Sequence, residues 1–192
     1  MEYSYYPGCS LERNASASHV STMAIAEKLG IKFNELDDWN CCGATEYISL
    51  SRLGAYAAVA RNLALAKQQG GDRHLVAPCS ACFLNLSKAE TYLAEDKALS
   101  EQVNIALAAG GMHYDAGSLR VRHLLDIFVN DVGYEKIAEK VTRPLKGLRI
   151  APYYGCLIVR PSFQGVFDDH EQPTTLDKLM RALGAKVVDF PL

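Results

Sequence analysis

Six cysteines are the residues of this sequence whose type and spacing could support chemistry: Cys9, Cys41, Cys42, Cys79, Cys82 and Cys156. Cys41 and Cys42 are adjacent and precede a glycine in the stretch "WNCCG". Neighbouring cysteines rarely form a disulfide with each other, because the small ring strains the peptide backbone. The two adjacent thiols are therefore expected to have partners elsewhere in the chain or on a bound group.

The composition is that of a soluble globular protein with a substantial core. The chain has 192 residues, of which 49% are hydrophobic and 22% charged, and its formal net charge is -2. This length suits one good-sized domain, or one domain and part of a second. No basic run occurs, so we expect small-molecule or protein partners and no nucleic acid.

The expected compartment is the cytoplasm. The N-terminal stretch "MEYSYYPGCSLERN" has neither a positive leader nor an apolar segment. The sequence also contains no run of about 18 apolar residues, so direct membrane insertion is not expected. Thiols stay reduced in the cytoplasm, so clustered cysteines indicate metal binding or redox chemistry. Buried, inert thiols are the alternative, and that alternative suits Cys156 taken alone.

Strands and helices alternate in the predicted structure. Strands are predicted over 2–6, 31–36, 74–77 and 148–154, and helices over 10–29, 48–69, 79–109, 120–132 and 134–141. Pro7 and Gly8 predict a turn that holds Cys9, and Cys79 falls at a helix start. Because strands lead through turns into helices, the fold class is α/β, with a mostly parallel sheet and flanking helices.

Several cysteines follow predicted strand ends. Cys9, the Cys41–Cys42 pair and Cys79 each lie just past a strand. Ligands gather beyond the carboxyl ends of parallel strands. These cysteines are therefore expected to meet in space although they are far apart in sequence.

The sequence contains an internal repeat. "YYPGC" at 5–9 is echoed by "YYGC" at 153–156, and "KLGIKF" at 28–33 by "ALGAKVV" at 182–188. We predict a first domain over 1–146 and the start of a second copy over 147–192. By the spacing of the first copy, a second cysteine pair would fall just past Leu192, so we expect a second copy that is incomplete.

The stretches "YYPGCS", "CCG" and "PCSACFLN" resemble the CCG-domain, or cysteine-rich domain, family, and most of all the B subunit of heterodisulfide reductase. The resemblance implies that five cysteines bind one non-cubane [4Fe-4S] cluster, to which the adjacent pair helps to supply a bridging thiolate: Cys9, Cys41, Cys42, Cys79 and Cys82. It also implies that Cys156 is the first ligand of a second cluster. The other ligands of that cluster are absent from this sequence, so Cys156 is expected to be unligated.

The resemblance further implies an oxidoreductase: an iron–sulfur catalytic subunit that reduces a disulfide by electron transfer through two facing clusters. Its partners would be a ferredoxin-like iron–sulfur subunit, a flavin subunit that supplies it, and the disulfide substrate. This chain alone is expected to be inactive. Where methanogen members often have a histidine after the second-copy cysteine, this sequence has Leu157, which favours a different disulfide or a relay of electrons to a partner.

Two other uses of the cysteines are considered. Zinc could bind four of the five in an interaction module without turnover, but one cysteine would then have no role. A thioredoxin-like dithiol at Cys79 and Cys82 would leave the other cysteines unexplained. Thiolates suit iron–sulfur centres, and adjacent thiols can reach two metal atoms. In air, we expect the cluster to be lost and the thiols to oxidise.

Other residues receive smaller roles. The five histidines lack metal-ligand spacing and are assigned no function. Gly8 and Gly43 are predicted to allow tight turns beside the cysteines. The tyrosines of the two repeated stretches are predicted to pack beside the strands.

Overall fold

The computed structural model of the protein describes residues 1–44, 47–160 and 167–188. The strands are β1 (Glu2–Tyr5), β2 (Lys32–Glu35), β3 (Leu75–Ala77), β4 (Val121–His123), β5 (Arg149–Ile150) and β6 (Lys186–Val187). The helices are α1 (Gly8–Glu12), α2 (Ser16–Leu29), α3 (Tyr47–Leu50), α4 (Arg52–Gly70), α5 (Ser80–Glu95), α6 (Lys97–Ala108), α7 (Leu124–Asp126), α8 (Tyr134–Glu139), α9 (Cys156–Val159) and α10 (Thr175–Ala182).

Four strands form one parallel sheet in the order β2-β1-β3-β4. A second, two-stranded parallel sheet pairs β5 with β6. The α/β class with a parallel sheet and flanking helices is thereby confirmed. Since the strands of the larger sheet all run the same way, their carboxyl ends share one edge, and β1 lies between β2 and β3.

Helices cover both faces of the larger sheet, as the alternation of side chains along β3 shows. Leu75 and Ala77 join a core that includes residues of α4, α5 and α6. Val76 points the other way, into a core with Ala26 of α2 and Ile137 of α8. A strand buried on both faces is typical of a parallel sheet between helical layers.

The structure corrects four details of the predicted elements. The segment 120–132 begins as a strand rather than a helix, because Val121 pairs with Leu75 in the sheet, and π-helical turns follow α7 over Ile127–Val132. Only Arg149–Ile150 of the predicted strand 148–154 is paired. Cys9 lies in α1 rather than in an isolated turn, and the predicted helix 10–29 is interrupted between α1 and α2.

The order of elements after β5 repeats the order after β1. In both places a strand is followed by a short helix that carries a cysteine, a second helix, a glycine with positive φ and a strand parallel to the first. The glycines are Gly30 (φ 69°) and Gly184 (φ 91°). This agrees with the sequence repeat, while the domain division at 146/147 remains a prediction.

Candidate functional site

Cys9 follows the central strand β1 and lies in the first turn of α1. Gly8 precedes it with a φ of 75°, a conformation that suits glycine. A Cβ atom on Gly8 would lie 2.8 Å from Cys82 Sγ. Glycine is therefore required here both for the turn and for the close approach of the backbone to a cysteine on another element.

Cys41 and Cys42 lie in the loop after β2, and hydrogen bonds to the preceding Asn40 fix this loop. Asn40 N–H donates to Asn62 Oδ1 at 2.9 Å, and Asn62 Nδ2 donates to the Asn40 carbonyl, also at 2.9 Å. The buried Tyr6 hydroxyl donates to the same carbonyl at 2.7 Å. The paired cysteines are thus attached to both α4 and the end of β1.

Cys79 and Cys82 stand at the start of α5, just after β3. Cys79 immediately precedes the helix, and Cys82 lies in its first turn. The backbone N–H groups of Ala81 and Cys82 lie beside the Cys79 sulfur. Free N–H groups at a helix start favour a thiolate over a thiol. One turn farther along α5, Asn85 Nδ2 donates to the Cys42 carbonyl at 3.1 Å, which joins α5 to the cysteine loop.

The five cysteines come together at the carboxyl edge of the sheet. Cys42 Sγ and Cys82 Sγ are 3.3 Å apart, within hydrogen-bond distance. The side chain of Cys82 also neighbours that of Cys79, and the side chain of Cys9 neighbours that of Cys41. Sulfurs from three strand–turn connections therefore form one group, as the positions of the cysteines after the strands predicted.

The pKa values within this group diverge because the Cys82 sulfur lies beside the sulfurs of both Cys42 and Cys79. The contact with Cys82 lowers the pKa of Cys79 to about 5 and also lowers the pKa of Cys42. The pKa of Cys82 is raised by the same two contacts and by burial. Partial desolvation and the neighbouring Cys41 raise the pKa of Cys9. The group can thus hold thiolates alongside a protonated Cys82.

The group has a buried side and an exposed side. Cys42 and Cys82 are only 2% and 4% exposed. Cys79 is half-buried, whereas Cys9 and Cys41 are exposed. Tyr6 is fully buried beside the group, and burial followed by the nearby Cys42 and Cys82 sulfurs raises the pKa of its hydroxyl. This tyrosine packs beside its strand, as predicted, and it also forms part of the wall behind the thiols.

A cavity of about 150 Å³ opens beside Cys42. Most of its wall is apolar and comes from α3, α4 and α5, while Asn85 and Lys88 add polar groups. Leu157, next to Cys156, also lines the cavity. The second-copy segment therefore approaches the first-copy cysteines, although Cys156 itself is exposed at the start of α9. No local pattern in the sequence indicated the roles of Asn40, Asn85 and Lys88.

The donor set is suited to a thiolate-bound metal group. Five soft sulfur ligands in one group match the chemistry of iron–sulfur centres and exceed the four of a tetrahedral zinc ion. The absence of a side chain at Gly8 leaves space against Cys82. Among residues 1–44, 47–160 and 167–188, no three His, Cys, Asp or Glu side chains are arranged to hold a single metal ion.

Comparison with known proteins matches the segment that carries the five clustered cysteines. Residues 3–87, which include all five clustered cysteines, match the CCG family, described as "Cysteine-rich domain". A crystal structure of a hypothetical protein from Helicobacter pylori has a TM-score of 0.68 to this chain at 18% identity, and it is matched over 99% of this chain and 33% of its own. That likeness supports the fold.

Curated relatives match almost the whole chain. The 8-methylmenaquinol:fumarate reductase membrane anchor subunit of Wolinella succinogenes is 39% identical over 98% of this chain. A protein of Archaeoglobus profundus, named as similar to the B subunit of heterodisulfide reductase, is 32% identical over 97%. The B subunit of the ferredoxin/F(420)H(2)-dependent CoB-CoM heterodisulfide reductase of Methanosarcina acetivorans is 29% identical over 97%. This chain spans 64%, 62% and 61% of these three relatives, respectively.

One relative is named a membrane anchor, which makes the length and polarity of the helices informative. Within the described part of the chain, no helix is long and apolar enough to span a membrane. The cysteine-rich group lies instead at the edge of a helix-covered parallel sheet. The chain thus carries a cysteine-rich CCG domain and is a homologue of proteins named as the B subunit of heterodisulfide reductase.

Proposed function

We propose that this protein is an iron–sulfur subunit of a heterodisulfide-reductase-like oxidoreductase. The observation that supports this most directly is the convergence of five thiols from three strand–turn connections at one sheet edge. A non-cubane [4Fe-4S] cluster would be bound by Cys9, Cys41, Cys42, Cys79 and Cys82. When bound, this cluster would supply one-electron redox chemistry.

The chain's own residues would hold and shield this group. The Asn40–Asn62 hydrogen bonds keep the cysteine pair in place, and the N–H groups at the start of α5 favour the thiolate of Cys79. Tyr6 and the buried Cys82 exclude water from one side. Burial and hydrogen bonds to sulfur are general determinants of the reduction potential of such centres.

The cavity beside Cys42 would be the approach for a sulfur-containing substrate. Its wall joins a cysteine of the first copy to Leu157 of the second-copy segment. The apolar wall and the Lys88 ammonium group fit a disulfide that carries both apolar and anionic parts.

The proposed partners rest on the relatives' names and on the family resemblance of the sequence, and the proposed location rests on the sequence alone. The Methanosarcina protein is named as a subunit and the Archaeoglobus protein as similar to one, so this chain is proposed to work within a complex. A ferredoxin-like iron–sulfur subunit would deliver electrons and would itself be supplied by a flavin subunit. We place the assembly in the cytoplasm.

Metal analysis of anaerobically prepared protein tests this function. We expect brown protein that contains iron and acid-labile sulfide in nearly equal amounts, with close to four of each per chain for one cluster. Colourless protein with one zinc per chain and no sulfide would contradict the proposal and support a zinc-stabilised interaction module. Cys79→Ser is the matched variant, because its loss should reduce iron and sulfide together.

A further inference from the structure

A second and larger cavity lies between α2, the segment around α8, and α10, and none of the six cysteines lines it. Its volume is about 490 Å³, within the range of small-molecule sites. The wall is almost entirely apolar and includes Ile25, Leu29, Phe128, Ile137, Leu179 and Leu183. This cavity shares no lining residue with the cavity beside Cys42, so it is separate from the redox site described above.

The charged side chains that line this cavity are of one sign. Lys28 of α2 and Lys140, which follows α8, are the charged residues that line it. Both are exposed at its rim, and neither forms an ion pair within residues 1–44, 47–160 and 167–188. Two unpaired ammonium groups beside an apolar wall are complementary to a molecule with an anionic head and an apolar tail.

The volume limits the size of this molecule. The cavity lies between three elements and has a volume of about 490 Å³, which suits one unbranched chain, whereas a protein helix needs a continuous groove about 10 Å wide. We propose that this cavity binds one free, single-chain aliphatic carboxylate. Its chain packs against Phe128 and Leu179, and its carboxylate lies between Lys28 and Lys140.

Titration with carboxylates of increasing length tests the tail. Octanoate and decanoate, kept below their micelle concentrations, are titrated into the anaerobically purified protein by calorimetry. Each added methylene that is buried should raise the affinity about fourfold. The uncharged methyl ester of decanoate should bind more weakly than decanoate. Equal affinity for octanoate and decanoate, or no binding of either, would overturn the proposal.

Variants test the binding of the carboxylate group and the filling of the apolar cavity separately. The double variant Lys28→Glu/Lys140→Glu should weaken decanoate binding about tenfold, since two exposed attractions become repulsions. Lys136→Glu is the matched control, because Lys136 is exposed on α8 but does not line the cavity. Ala24→Trp should fill the cavity and abolish binding while the circular dichroism spectrum stays native.

The aliphatic chain could instead come from a lipid in a bilayer, and a vesicle experiment distinguishes a free carboxylate from a bilayer lipid. The proposal expects decanoate binding to monomeric protein and no co-sedimentation with phosphatidylglycerol vesicles. Sedimentation with the vesicles without binding of free decanoate would assign the cavity to membrane lipid and overturn the proposal. If Lys136→Glu weakened decanoate binding as much as the double variant, the binding would reflect general charge attraction, and the proposed position of the carboxylate would be overturned.

Discussion

Cys42 Sγ and Cys82 Sγ lie 3.3 Å apart although the two residues are 40 positions apart in the sequence. A disulfide needs the sulfurs to approach to about 2.05 Å, so only a small movement separates this contact from a covalent bond. On purification in air we expect iron to be lost and a Cys42–Cys82 disulfide to form. Peptide mapping by mass spectrometry, without reduction, would identify this bond.

Cys82→Ser provides the control for this oxidation, because it removes one of the two sulfurs. In that variant the Cys42-containing peptide should no longer appear in a Cys42–Cys82 crosslink. Full retention of iron and sulfide after days in oxygen would contradict the prediction, as would a dominant crosslink that joins Cys42 to Cys156.

The glycine before Cys9 is predicted to be essential for assembly of the site. Gly8→Ala would place a Cβ atom 2.8 Å from Cys82 Sγ in a backbone with a φ of 75°. We expect iron content after anaerobic reconstitution to fall to less than about half, because Cys82 must move and the left-handed conformation also costs about 1–2 kcal/mol. Iron and sulfide assays measure the effect.

Gly30→Ala separates steric from conformational causes. Gly30 has the left-handed conformation, with a φ of 69° and a ψ of 32°, and a Cβ atom there would meet nothing within 4 Å. This variant should lose stability by a similar conformational cost but should reconstitute with normal iron content. Equal iron loss in both variants would show that backbone strain, and not the approach to Cys82, accounts for the effect of Gly8→Ala.

Serine substitutions distinguish the clustered cysteines from Cys156. Cys41→Ser and Cys42→Ser should each prevent normal cluster assembly, because serine removes a soft thiolate ligand. Cys156→Ser should leave the cluster unchanged, since Cys156 is exposed on α9 and lies in the other copy of the repeat. Iron counts and electron paramagnetic resonance spectra of the three variants decide this. An altered signal from Cys156→Ser would show that the two copies share the first site.

The burial of His123 predicts that the folded protein loses stability when the pH falls. It is buried at the end of β4, and its Nδ1 accepts a hydrogen bond from Leu125 N–H at 3.1 Å. Burial lowers its pKa from 6.5 to about 4, so the unfolded chain binds the proton more strongly. The stabilising contribution of the neutral ring is complete above about pH 6.5 and is lost, by about 3 kcal/mol, as the pH falls to about 4.

His123→Asn removes the titrating ring but keeps an acceptor for the Leu125 N–H group. Urea unfolding of both proteins at pH 7 and pH 4.5 should show a smaller difference between the two pH values in the variant. The comparison cancels the titration of the remaining groups. An identical pH dependence in the two proteins would mean that His123 does not contribute.

The sequence predicted the cysteine-bearing edge because strand, turn and helix signals are local, and parallel strands bring such turns together. It failed at β4, where Arg122 and His123 are polar residues within a buried strand. Arg122 is tolerated there because Asp126 and Asp131 form ion pairs with it. Those pairs depend on the packing of the following helical turns, which no strand pattern reveals.

Local sequence patterns could not predict the contacts within the site, for a different reason. Gly8 and Gly43 were recognised as turn formers, and both have positive φ. However, Gly8 must also lack a side chain because Cys82 lies against it, and these two residues belong to segments that are distant in sequence. The same is true of Leu157, which reaches the cavity beside Cys42.

Under the proposed function, the unequal exposure of the sulfurs would give the site two separate routes. Cys9 and Cys41 face solvent, whereas Cys42 borders the apolar cavity on the inner side. A redox centre held by this frame would receive electrons across its solvent-facing sulfurs and meet a small molecule through the cavity. A docked electron donor and a bound substrate could then occupy the protein at the same time without competing for the same surface.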